Sequence, residues 1–155
     1  MTWPEGGKRL PLWDAIYNGD IVVAQKLLVT KDGAAQVNVP YGQTSVHVAV
    51  QHGHAKLLKH LLFTGADVNA RTINGTTPLH LAVEINRRDI VQDLLLAGAN
   101  PLLRNFTGQT VLQSAVCRGL TPIATLLRQG IDSQRTLATL EGASQQTAQR
   151  RQPAL

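Results

Sequence analysis

The chain has 155 residues, of which 43% are hydrophobic and 16% charged, so one compact domain can bury a core. With two Trp, two Tyr and two Phe, that core must come from Leu, Val, Ile and Ala, which favours small close-packed helices over a large β-sandwich. The net charge of +5 is carried by scattered cations, among them Lys26, Lys56, Lys59, Arg71, Arg87, Arg88 and Arg104, which reads as solubility rather than a nucleic-acid site.

No apolar run follows a basic start in the first thirty residues, and no stretch is long enough to span a bilayer. Cys117 stands alone, so no disulfide can form within the chain, which suits a reducing compartment. These features point to cytoplasm, nucleus or both.

Residues 1–8, with Pro4 and the pair Gly6-Gly7, read as a flexible N-terminal segment. Gly6-Gly7-Lys8 has neither the spacing nor the preceding strand of a phosphate-binding loop. Helical patterning begins near Leu10, where Pro11-Leu12-Trp13-Asp14-Ala15 opens a first unit of about residues 10–39. The next unit, 41–72, opens with Thr44-Ser45-Val46-His47-Val48-Ala49. Thirty-three residues on, in the unit 73–105, stands Thr77-Pro78-Leu79-His80-Leu81-Ala82. After the same step, in the unit 106–132, stands Thr110-Val111-Leu112-Gln113-Ser114-Ala115. Gly42, Gly75 and Gly108 keep that step, as do Gly65 and Gly98, so two independent features share one period.

The residue types explain themselves. Pro78 suits a helix start, where a missing N–H is harmless, and Thr77 can cap that helix. Leu79 and Ala82 share one face. Gly65 and Gly98 suit the left-handed end of a second helix. In the fourth unit Leu126-Leu127-Arg128-Gln129-Gly130 is the expected counterpart of Leu94-Leu95-Leu96-Ala97-Gly98, one residue short. Residues 133–155 are expected to form a short helix from Ser133 to Leu140, with Leu137 and Leu140 facing inward. A disordered basic tail ending in Arg150-Arg151 and beyond would follow.

On these motifs the chain resembles the ankyrin-repeat family over residues 10–132. The resemblance implies an all-α solenoid of about four helix-turn-helix repeats with β-hairpin loops, the first and last acting as caps, in a domain spanning 9–132. His80 and its counterpart His47 would then serve the scaffold. The run Asn100-Pro101-Leu102-Leu103-Arg104-Asn105-Phe106-Thr107-Gly108 is also similar to a segment of the IκB inhibitors of Rel-type transcription factors. That family has more repeats and usually an acidic C-terminal region.

No companion carboxylate or cysteine stands at ligand spacing to the five histidines, and no base is suggested beside Cys117. Neither an enzyme nor a metal or cofactor site is expected. The resemblance implies a protein-binding module, an adaptor or inhibitor acting as a monomer. Its free surface would be the hairpin tips and the outer ends of the first helices. Aligning the units places there Tyr41, Gln43, Gln51, His52, Ile73, Asn74, Thr76, Glu84, Ile85, Phe106, Thr107, Gln109 and Arg118. Tyr41, Ile73, Ile85 and Phe106 form the expected exposed row, although hairpin apolar groups can also pack on the next hairpin. Two other functions stay open. One is an IκB-like inhibitor. The other is a structural solenoid whose basic tail contacts an acidic partner or nucleic acid.

Overall fold

The computed structural model describes residues 11–28 and 42–149, so the expectations for residues 1–8, for Tyr41 and for Arg150-Arg151 lie outside it. The described residues form helices and no strand. In chain order they are α1 (Pro11–Asn18), α2 (Ile21–Leu28), α3 (Ser45–Gln51), α4 (Ala55–Phe63), α5 (Pro78–Glu84), α6 (Arg88–Leu96), α7 (Val111–Cys117) and α8 (Thr121–Gln149). Each odd-numbered helix packs on the even-numbered one that follows it. The odd helices also stack on one another as one row and the even helices as a second. This is the expected all-α solenoid. No described helix is long and apolar enough to cross a membrane.

The core repeats with the sequence. Leu57, Ile90 and Ile123 hold one fully buried position, and Leu61, Leu94 and Leu127 another, in α4, α6 and α8. Val46 and Leu79 fill the equivalent place in α3 and α5. Each of these side chains contributes on the order of 2 kcal/mol when removed from water. Isolated helices of seven to nine residues would not persist, so the stack itself makes them helical.

The signature residues join neighbours. Thr77 N–H donates to His80 Nδ1 (3.3 Å), closing the first turn of α5. The other ring nitrogen, Nε2, then carries the proton and donates to the Gln109 carbonyl of the following repeat (3.3 Å). His47 repeats the arrangement, with Thr44 N–H on Nδ1 (3.1 Å) and Nε2 on the Thr76 carbonyl (3.1 Å). Burial outweighs these carbonyl contacts and holds both imidazoles below their ordinary pKa, hence neutral.

α6 ends in a left-handed turn at Gly98 (φ +89°), where Gly98 N–H donates to Leu95 O (3.1 Å) and Ala99 N–H to Leu94 O (2.9 Å). The fourth repeat departs from expectation at this place. Its counterpart of Leu94 is Leu127, not Leu126, so no residue is missing and the step of thirty-three holds. The counterpart of Gly98 is therefore Ile131, a buried β-branched residue unsuited to a positive φ. Gly130 lies inside the helix, where a Cβ would stand 3.2 Å from Leu95 of α6. With no turn available, α8 continues to Gln149 through Ala, Gln, Leu and Glu, which favour helix. The helix thus does not stop at Leu140. Leu137 and Leu140 are exposed rather than inward, because α6 has already ended and offers them no facing helix.

Candidate functional site: the hairpin row

Between the helix pairs the chain turns back in tight loops. Thr72 N–H donates to Thr76 O (3.0 Å) and Gly75 N–H to Thr72 O (2.8 Å). One repeat on, Asn105 N–H donates to Gln109 O (3.1 Å) and Gly108 N–H to Asn105 O (2.9 Å). Side chains reinforce each turn, Thr72 Oγ1 accepting from Thr76 N–H (3.2 Å) and Asn105 Oδ1 from Gln109 N–H (3.0 Å). The loops are also tied to each other, since Phe106 N–H donates to Asn74 O (3.1 Å).

This geometry sets out Ile73 and Phe106 at one position of successive loops, 58% and 74% exposed. Each rests one flank on the glycine of the loop before it. A Cβ at Gly75 would stand 2.8 Å from Phe106 Cδ1, and one at Gly42 would stand 3.4 Å from Ile73 Cγ2. Both the apolar contact and the exposure are therefore real, and they concern different flanks of the same side chains.

The other expected residues divide. Asn74, Thr107 and Gln109 are exposed beside that pair, whereas Gln43 and Thr76 are half-buried. Gln51, His52, Glu84 and Arg118 are exposed at the ends of the first helices. Gln43 Nε2 donates to Gln51 Oε1 (3.4 Å), bringing a loop residue to its own helix end. His52 lies edge-on to the Tyr17 ring, with centroids 4.5 Å apart, and burial followed by the nearby His54 lowers its pKa. Arg118 Nη1 donates to Glu84 O (3.4 Å) across one repeat step. Ile85 departs from expectation. It is half-buried against the core, because the C-cap position of α5 turns its side chain towards the neighbouring helices. On the hairpin surface the exposed apolar row among the described residues is thus Ile73 and Phe106, with Tyr17 further along the array. A second exposed apolar pair one repeat step apart, Phe63 and Leu96, stands at the ends of α4 and α6, away from the hairpin loops.

Two residues were missed by reading the cations as scattered. Arg71 and Arg104 stand one repeat apart, each two positions before Ile73 or Phe106. Arg71 Nη2 donates to Arg104 O (2.6 Å), and Arg104 Nη1 donates to Gly108 O (2.6 Å). Both are exposed. The period that revealed the glycines would have revealed them as well.

Other chemistry is sparse. Among the described residues no three His, Cys, Asp or Glu side chains gather as a metal site. Cys117 is an exposed thiol at the end of α7.

A family model described as ankyrin repeats (3 copies) matches residues 4–72 and 55–136. No curated protein matches the chain. The repeat step, the threonine–histidine links and the stacked helix pairs agree with that match: the chain belongs to the ankyrin-repeat family.

Proposed function

We propose that this protein is a binding module, an adaptor or inhibitor that grips a protein partner along the hairpin row and the adjoining ends of the first helices. Ankyrin repeats are generic protein–protein interaction modules. The observation that carries the location is the exposure of Ile73 and Phe106 at the same position of two linked loops. Two large apolar groups presented side by side, in a rim of Asn74, Thr107 and Gln109, have the composition of an interface centre.

No observation favours a Rel-type partner. The run that carries the IκB likeness is accounted for by the turn itself. Asn100 N–H donates to Asn69 Oδ1 (2.8 Å), Asn105 closes the loop, and Arg104 holds the Gly108 carbonyl.

Affinity capture with the intact chain, the double variant I73S/F106S and a chain ending at Gly142 tests the reading. The double variant is expected to keep its thermal midpoint and lose the captured protein. The shortened chain is expected to retain it. A drop of several degrees in the midpoint of I73S/F106S would make the two residues packing groups. Loss of capture on shortening, with steep salt dependence, would move the contacts to the tail.

A further inference from the structure

The hairpin segments 70–77 and 103–110 contain no acidic residue, and each contains one arginine. Among the described residues the ion pairs are Lys59 with Asp93 (3.2 Å) and Arg87 with Asp89 (2.9 Å). In the second pair the Arg87 guanidinium lowers the Asp89 carboxyl to about 2. The carboxylates of α6 are thus matched with cations, whereas Arg71 and Arg104 have none within 4.0 Å among the described residues. Each of these two guanidinium groups bonds a backbone carbonyl through one nitrogen. Further N–H donors remain on each for a carboxylate. The carbonyl contacts also hold the two long side chains in place, so less freedom is lost when a ligand binds.

We infer that the hairpin row takes an extended acidic polypeptide segment. Its carboxylates recur at about every third residue and meet Arg71 and Arg104, with apolar side chains between them on Ile73 and Phe106. The inference rests on the hairpin row being the binding surface. The spacing follows from the stack. Neighbouring helices lie about 8–10 Å apart, so equivalent groups recur at that distance. A polyproline-II segment rises ~3.1 Å per residue with three residues per turn, so every third side chain returns to one face after about 9 Å. An acidic peptide in that form keeps step with the repeats. Nucleic acid fits less well. Bases need stacking platforms, and Ile73 is a branched aliphatic group. A phosphate chain also carries more closely spaced charge than one arginine per repeat can meet.

Panning a displayed library of random dodecapeptides on the full chain tests this. Enriched peptides are expected to carry Asp or Glu at three-residue spacing. As synthetic peptides they should bind more weakly as NaCl rises, an outcome that needs no variant. R71E/R104E should weaken binding by about tenfold or more. R71K/R104K, which keeps the charge and removes the planar fork, should weaken it less. Melting curves of both variants show whether they remain folded. Enriched peptides without carboxylates that still depend on Ile73 and Phe106 would overturn the acidic partner and leave the binding surface standing. Peptides indifferent to I73S/F106S would overturn the surface and the inference together. Oligothymidylate binding more tightly than the acidic peptides, and lost in R71E/R104E, would put nucleic acid in their place.

Discussion

The third and fourth repeats share a period, a core and a capping threonine, yet they differ where the third repeat meets its successor. His80 becomes Gln113 and Gly98 becomes Ile131, while a valine common to both is fully buried in the third repeat (Val83) and 54% exposed in the fourth (Val116). The histidine has two tasks, capping its own helix and reaching the next hairpin. Gln113 keeps the first, its Oε1 accepting from Thr110 N–H (2.9 Å), and has no described hairpin beyond it for the second. A repeat's own fold and its attachment to a neighbour are therefore encoded by separable residues.

Breaking that separation should have its largest effect at the histidine. His80→Ala strands a buried N–H on Thr77, takes from the Gln109 carbonyl one of its two donors (Asn105 N–H remains) and leaves a cavity, so urea unfolding should show a loss of about 2–4 kcal/mol. Gln113→Ala, at an exposed position with only the cap to lose, should show less than ~1 kcal/mol. Equal losses would mean that the two residues serve one purpose.

The turn at Gly98 comes next. No atom lies within 4 Å of a Cβ there, so the effect of Gly98→Val comes from backbone conformation alone, about 1–3 kcal/mol in the same unfolding measurement. A neutral result would show that α6 can run on as α8 does.

Acid sharpens the contrast further. His47 and His80 are held below the ordinary imidazole value of 6.5, so the unfolded chain binds protons more readily than the folded one. The contribution of the neutral imidazoles is complete above about pH 6.5 and declines as pH falls below it. His80→Gln, which copies the fourth repeat, should make unfolding midpoints between pH 7 and 5 fall less steeply than in the parent chain. An unchanged slope would assign the acid sensitivity elsewhere.

The smallest effect belongs to Asn86 (φ +54°), which follows α5 where Gly53 and Gly119 follow α3 and α7. Asn86→Gly should raise the thermal midpoint slightly, by an equivalent of ~0.5 kcal/mol, by relieving a left-handed residue that carries a Cβ.

Much of this architecture was legible in the sequence because two sets of residues, Thr44/Thr77/Thr110 and Gly42/Gly75/Gly108, repeat at the same step. The slip at Gly130 has a physical cause. A glycine after a leucine pair looks the same whether it ends a helix or lets a neighbouring leucine approach, and only packing against Leu95 separates the two. The continuation of α8 was hidden because a polar sequence without core residues can still be helical. Ile85 was misplaced since its half-burial comes from neighbouring helices, which the local pattern does not display. In the candidate site the apolar positions Ile73 and Phe106 were legible. The arginines beside them were not, because charge was judged by its total rather than by its register with the repeat.

The link from His80 Nε2 to the Gln109 carbonyl runs one way along the chain, from each repeat to its successor. This gives the array a grammar for growth by gene duplication. A tandem copy of the third repeat would supply a donor to the unit after it and an acceptor to the unit before it, so lengthening in the middle preserves every joint. A tandem copy of the fourth would place Gln113 at an internal joint and set the long α8 where a hairpin must begin. Ancestral lengthening of such a protein is therefore expected to leave its record in the interior units, with the terminal unit carried along unchanged.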